Sequence, residues 1–210
     1  MSRTIGVLSL QGGYREHGAH LRECGIEPVY VNEPSGLEHC AGLIIPGGES
    51  SCLRRLLKGF QMDEAIIEGV KSRGLKVWGT CAGAILCADE VVGEEPCLSL
   101  IEASVERNIF GSQLASFCED VVVSGIGEEV QRLVYIRAPG IRRVWGKTRE
   151  VHRSHGVITA AENDGVLITS FHPELSPTLL FHKYFIRKCG LEPHDARTVA
   201  WARTSWIVNS

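Results

Sequence analysis

The chain has 210 residues, 44% of them hydrophobic and 22% charged, the balance of a folded globular protein large enough to build its core without disulfide staples. Lys plus Arg total 22 against 25 for Asp plus Glu, a formal net charge of -3, which argues against nucleic acid or an anionic membrane surface as a partner. No window approaches the run of about 18 apolar residues that a membrane span needs, and Gln11-Gly12-Gly13 cuts the first apolar run too early for a secretory signal. A single cytoplasmic domain covering 1–210 is expected, with no linker and no internal repeat.

Thr4 to Leu10 is a continuous apolar run ended by glycines, the pattern of a strand buried on both faces. Tyr14 to Cys24 reads as a helix closed by Gly25, and Glu27 to Val31 as a second strand. Ala41 to Ile45 is a strand running into Pro46-Gly47-Gly48, Met62 to Arg73 is helical, and Leu75 to Trp78 is a strand running into Gly79-Thr80-Cys81-Ala82-Gly83. Alternation of this kind predicts an α/β fold: a doubly wound, mostly parallel sheet with helices on both faces and a site at the carboxyl ends of the strands. After Asp89 the rhythm changes. Ile101 to Arg107, Ser116 to Ser124, Leu133 to Arg137 and Ile141 to Trp145 read as shorter strands without helices between them, a short antiparallel excursion. Val166 to Ser170 returns to a buried strand, and Pro177 to Cys189 reads as a closing helix with Pro177 near its first turn. The tail from Gly190 has no periodicity that assigns it.

The chemistry concentrates at three places. Val77 to Gly83 has the form strand, G-x-C-x-G, helix, a nucleophile elbow with sulfur in place of hydroxyl. A free thiol has a pKa of about 8.5, so full ionisation of Cys81 near neutral pH takes on the order of 2 kcal/mol, which a helix N-terminus and a neighbouring imidazolium can supply. In His172-Pro173-Glu174, residues two apart in extended backbone point the same way, so Glu174 can orient His172. Nucleophile, base and carboxylate then follow in the order Cys, His, Glu of hydrolases built on an elbow. Taken singly, each has a plain structural alternative: a buried cysteine at a tight turn, a hydrogen-bonded turn histidine, a charge at a helix start. Pro46-Gly47-Gly48-Glu49-Ser50 is the third place, where Gly48 and the amide of Ala82 can donate to a developing oxyanion; a Gly-Gly pair is otherwise a turn requiring positive φ. The eight cysteines contain no C-x-x-C pair and no repeated metal spacing and read mostly as small buried hydrophobes, and neither a metal nor another cofactor is expected.

With these residues, the chain resembles the class I, triad-type glutamine amidotransferases. More narrowly, Leu10-Gln11-Gly12, Glu16-His17, Pro46 to Ser50, Gly79 to Gly83, Glu106-Arg107-Asn108, Phe110-Gly111, Ile136 to Pro139 and Ser170 to Leu175 resemble the glutaminase subunits of pyridoxal 5'-phosphate synthases, in matching order. The resemblance implies hydrolysis of L-glutamine to glutamate and ammonia through a cysteine thioester, the ammonia passing to a barrel-shaped synthase subunit. It implies that Cys81 attacks, His172 shuttles the proton and Glu174 holds the imidazole. Gly47, Gly48 and Glu49 would line the glutamine site, Arg107 would pair with substrate charge, and Ile136 and Arg137 would close the pocket partly through main chain. Gln11, Glu16 and His17 are expected on the face that meets the synthase. The chain departs from the family at Ser112, where Arg is usual, and at Tyr135, where Phe is usual. The other readings are a stand-alone γ-glutamyl peptidase or Cys hydrolase on the same elbow, and a catalytically silent regulatory subunit.

Overall fold

A computed structural model describes residues 4–111 and 116–195. Its first half alternates as the sequence pattern predicts: β1 (Thr4–Leu8), α1 (Tyr14–Glu23), β2 (Val29–Val31), β3 (Cys40–Ile45), α2 (Ser50–Gly59), α3 (Met62–Arg73), β4 (Lys76–Thr80) and α4 (Ala82–Cys87). Seven strands follow: β5 (Ala88–Val91), β6 (Ile101–Glu106), β7 (Ser116–Val121), β8 (Gln131–Ile136), β9 (Gly140–Val144), β10 (Arg149–Ser154) and β11 (Val157–Glu162). Strand β12 (Val166–Thr169) and helix α5 (Leu180–Lys188) close the described chain.

The main sheet runs β2-β1-β3-β4-β12-β11-β9-β6-β5, with β10 paired to β11, while β7 and β8 form a separate antiparallel pair. The five strands from β2 to β12 are mutually parallel, and β11 turns antiparallel against β12. Side chains alternate across these strands, so each apolar run feeds two cores. Leu43, Ile45, Val77 and Ile168 join Leu53, Leu57 and Ile66 of α2 and α3 on one face. Ile44, Trp78 and Leu167 join Leu21 of α1 and Phe181 and Phe185 of α5 on the other. Continuous apolar runs of this kind belong to strands covered on both faces, which explains why they were readable.

Four features differ from the sequence expectation. Helix α2 had no counterpart there; it starts because the Glu49 carboxylate accepts the N–H groups of Ser51 and Cys52, at 3.0 and 2.6 Å, an N-terminal cap that a following Ser-Ser pair obscures. The antiparallel excursion holds two strands that the sequence did not announce, β10 and β11, and an added β5 that pairs with β6 in parallel; β10 (REVHRS) is polar because it pairs only with β11, at the margin of the sheet. Pro177 precedes α5 instead of lying in its first turn, since Ser176 and Thr178 form a hydrogen-bonded turn, Oγ to Oγ1 3.1 Å, before the helix begins. Among the cysteines, Cys24, Cys40, Cys81 and Cys87 are buried, Cys52, Cys97 and Cys189 are half-buried, and Cys118 is exposed. Ser112 and the tail from residue 196 lie outside the described residues.

Candidate active site

The site is assembled where β4 and β12 end side by side. These strands pair in parallel with Thr80 opposite Thr169, and the Cys81 N–H donates to the Thr169 carbonyl at 2.8 Å. Cys81 leaves β4 with φ 48° and ψ −104°, a backbone that costs a non-glycine residue roughly 1–3 kcal/mol and that the surrounding structure must enforce. The flanking glycines permit this by closeness rather than by φ. A Cβ on Gly79 would lie 2.4 Å from the Gly83 carbonyl oxygen, and one on Gly83 would lie 2.1 Å from that of Ile45. Helix α4 therefore starts directly against its own strand, with Cys81 at the N-cap position.

Three residues beyond β12, His172 returns to the same edge, and its N–H donates to the Val134 carbonyl of β8 at 2.8 Å. Its Nδ1 lies 2.8 Å from Glu174 Oε1, and the ring and the Cys81 side chain face the same cavity on either side of Gly47. The sequence expectation thus places Cys81, His172 and Glu174 in one line, and the structure brings them together in that order. Glu174 is 2% exposed and sits on the short 3-10 turn Pro173–Leu175. Burial opposes its ionisation, but His17 and His172 outweigh burial and hold the carboxyl far below the usual range. Burial likewise works against the His172 imidazolium, yet the charges and hydrogen bonds of Glu174 and Cys81 carry its pKa well above 6.5. Because Glu174 and His172 titrate together, the meaningful state is an imidazolium beside a carboxylate.

A cavity of about 450 Å³ opens over the thiol, within the range of small-ligand sites. Gln11, Gly48, Glu49, Cys81, Ala82, Arg107, Ile136, Arg137 and His172 line it. Gly47 lies just behind: a Cβ there would meet His172 Cε1 at 2.4 Å and Cys81 Cβ at 3.3 Å. Neither Gly47 nor Gly48 has positive φ, so the pair is dictated by space rather than by turn geometry. The Gly47 N–H is committed to Thr80 Oγ1 at 3.0 Å, which leaves Gly48 as the member of the pair that lines the cavity.

Other predicted residues sit differently. Arg107 reaches the cavity already paired with Glu94, Nε to Oε1 2.6 Å and Nη2 to Oε2 3.0 Å, so much of its guanidinium is engaged. Glu49 lines the cavity while capping α2, and those backbone N–H donors, foremost Ser51's, lower its pKa. Of the three positions expected on the partner face, the structure removes one from the surface. His17 is fully buried, because it lies on the inner side of α1, and no partner can touch it. Gln11 turns toward the cavity, where its Oε1 accepts the Glu49 N–H at 3.1 Å. Glu16 alone of the three is partly exposed outside the cavity. Sequence reasoning gave no site role to Ser50, Ile85, Asn108 and Pro139, which complete the lining, and missed His20 and His182, which pack with His17 behind Glu174. His17 and His20 stand three apart on α1, a helical spacing that could have signalled one shared face.

Comparison with known proteins agrees with this geometry. Residues 7–191 match the model of the SNO glutamine amidotransferase family. The chain is 48% identical over 209 residues to the pyridoxal 5'-phosphate synthase subunit PdxT of Syntrophus aciditrophicus (strain SB), an alignment spanning 97% of this chain and 93% of that one. It is 44% identical to the PdxT of Pelotomaculum thermopropionicum, over 88% of this chain and 94% of the relative. A crystal structure of a glutamine amidotransferase superposes with a TM-score of 0.84 at 40% identity, covering 90% of this chain and all of that one. The chain belongs to the SNO glutamine amidotransferase family.

Proposed function

We propose that this chain is the glutaminase of a two-subunit pyridoxal 5'-phosphate synthase, with Cys81, His172 and Glu174 as its catalytic residues. The observation that carries the reading is the thiol held at a strained elbow, in one cavity with an imidazole whose Nδ1 is 2.8 Å from a buried carboxylate. The Cys81 thiolate attacks the side-chain carbonyl carbon of glutamine, forming a C–S bond and an oxyanion that accepts from the N–H groups of Gly48 and Ala82. As the oxyanion collapses, the imidazolium of His172 gives its proton to the departing amine and ammonia leaves, so the enzyme holds a γ-glutamyl thioester. His172, now neutral, takes a proton from water as the hydroxyl adds to the thioester. Collapse of that second oxyanion releases glutamate and returns the thiolate–imidazolium pair. Glu174 stays ionised throughout and keeps the imidazole in register.

Glutamine enters as a zwitterion and needs a partner for each charge. Arg107 supplies a cation near the mouth, with the Nη1 edge of its guanidinium outside its bond pattern to Glu94. Each oxygen of Glu49 accepts one backbone N–H and retains a lone pair for the substrate ammonium. Ammonia then passes to the synthase subunit, the assembly in which the PdxT relatives are named; pyridoxal phosphate is the product of that assembly. The test is glutamine hydrolysis measured with and without the synthase subunit: a rise on mixing supports coupling, and equal rates with γ-glutamyl peptides accepted as readily as glutamine would replace this reading by a stand-alone peptidase. Labelling of Cys81 by an electrophilic glutamine analogue separates both from a silent regulatory subunit.

A further inference from the structure

We propose that His17 is a positioning residue for the triad, acting as an Nε2–H tautomer that sets its positive edge against the rear oxygen of Glu174 and is itself fixed by His182. The inference deepens the proposed glutaminase function and rests on it for its kinetic arm. Glu174 spends Oε1 on His172, while Oε2 has His17 Nε2 at 3.3 Å as its ion-pair contact. The same Nε2 is 3.3 Å from Thr80 Oγ1, its hydrogen-bond partner and the hydroxyl that also accepts the Gly47 N–H, while Glu174 Oε2 has no hydrogen bond among the described residues and feels this ring through close electrostatic contact. One ring therefore touches both halves of the site, the carboxylate behind the base and the threonine behind the glycine loop.

The tautomer follows from the far end of the chain of rings. His17 Nδ1 and His182 Nε2 are 2.9 Å apart, so one of the two carries the shared proton. His182 is fully buried and its Nδ1 has no hydrogen-bond partner among the described residues. If His17 gave the proton from Nδ1, as a neutral Nδ1–H ring or as a cation, His182 would need its own proton on Nδ1, leaving a buried N–H donor with nothing to receive it. Orphaned N–H donors are the rarer and costlier defect in protein interiors. A neutral Nδ1–H ring would also turn the lone pair of Nε2 against the Glu174 carboxylate. The reverse polarity avoids both faults: His182 Nε2–H donates to His17 Nδ1, and His17 Nε2–H donates to Thr80 Oγ1 with its positive edge against Glu174 Oε2. Two like-directed donors in sequence polarise one another in a low-dielectric interior. Trp78, edge-on to both rings at centroid distances of 5.6 and 5.0 Å, holds them in place.

Two measurements separate the polarities and the roles. Long-range 1H–15N correlation spectra of the histidine-labelled protein at neutral pH should show His17 and His182 as Nε2–H tautomers; an Nδ1–H signal on either ring overturns the proposal, whatever reaction the enzyme catalyses. In glutamine hydrolysis by the assembled synthase, His17→Gln, whose amide N–H can stand where Nε2–H stood, should keep kcat within about threefold. His17→Ala should lose about tenfold to a hundredfold in kcat, as expected when a buried carboxylate loses the polar group against its second oxygen, with KM little changed. Equal losses in the two variants, or a loss confined to KM, would reject the positioning role. Should His17→Ala fail to fold, the tautomer spectra of the unmodified protein still distinguish the two polarities. If instead no chain variant or unmodified protein hydrolyses glutamine, the functional reading fails while the tautomer result stands on its own.

Discussion

Glu174 has a histidine on either side, and the two sides of the molecule treat the same imidazole in opposite ways. On the cavity side, His172 is pressed between a carboxylate and a thiol and its pKa is carried well above 6.5. On the core side, His182 is packed against two other histidines and a tryptophan, and burial drives its pKa well below 6.5; His20, next to it, is pushed down to about 4, again chiefly by burial. Burial penalises the cation in all three, so a carboxylate at bonding distance separates them. His172 has Glu174 at 2.8 Å, whereas the two ring nitrogens of His20 face the carbonyls of Glu16 and Ser176 at 3.0 Å each. The arrangement teaches that charge in this site is placed by one buried anion, with the histidine core as its insulating backing.

The cavity side is broken most completely by removing its sulfur. Cys81→Ala should lower glutamine hydrolysis by at least about 10^4-fold while leaving the melting temperature close to that of the parent, since triad members act as a unit and the rest of the site cannot replace the nucleophile. Ammonia release against time measures it, and substantial residual turnover would move the nucleophile elsewhere. A gentler break is Gly47→Ala. The added methyl would meet the His172 ring at 2.4 Å, so the imidazole must shift, and a displacement near 1 Å at a reacting group costs on the order of 100-fold. The kcat of the variant against its thermal stability distinguishes displaced chemistry from a damaged fold.

The core side is tested by acid. A histidine held neutral in the fold binds its proton more readily once unfolded, so its contribution to stability is present above about pH 6.5 and is lost as the pH falls toward 4. For His20 the shift to about 4 corresponds to a loss of about 2 kcal/mol between pH 7 and pH 5. His172 has the opposite sign: its raised pKa contributes stability that is complete below about pH 6.5 and disappears as the pH rises through the folded value. Urea unfolding at pH 7 and pH 5, with His20→Gln alongside, should show a drop that is about 2 kcal/mol smaller in the variant, where His182 still contributes its own. A flat profile in the unmodified chain would mean that the core histidines accept protons without unfolding, and the contrast between the two sides of Glu174 would collapse.

How far the sequence revealed all this depended on whether a residue's job is local. The parallel strands were legible because burial on both faces writes itself as an uninterrupted apolar run, and the elbow because sharp turning needs small residues at fixed offsets around Cys81. His172 and Glu174 were legible from their spacing, although the physical route differs: the chain turns into the 3-10 segment Pro173–Leu175 and there brings the carboxylate to the ring, instead of running on extended. The histidine core was not, since His17 and His182 lie 165 positions apart and meet only when α1 and α5 pack on one face. The same holds for the Arg107–Glu94 pair: nothing local to Glu94 announces that it will occupy the guanidinium expected for substrate. Strands β10 and β11 escaped notice because one is polar at the margin of the sheet and the other is built on Ala160 and Ala161, residues of low strand preference.

A last variant asks whether the small sheet shares in holding His172. Tyr135 of β8 is buried; its ring lies edge-on to Phe171 at 5.6 Å, and its hydroxyl donates to Glu119 Oε1 of β7 at 2.6 Å. The neighbouring Val134 carbonyl accepts the His172 N–H, so a loosened β8 could let the base drift. Glu119 has further support, however, from Ser154 Oγ at 2.9 Å and His152 Nε2 at 3.4 Å. Tyr135→Phe keeps the ring packing and removes one hydrogen bond among several, so chemical denaturation should show a loss of about 1 kcal/mol, with kcat within about twofold of the parent. A larger fall in kcat than in stability would show that the small sheet, and not only β12 and Glu174, sets where the imidazole stands.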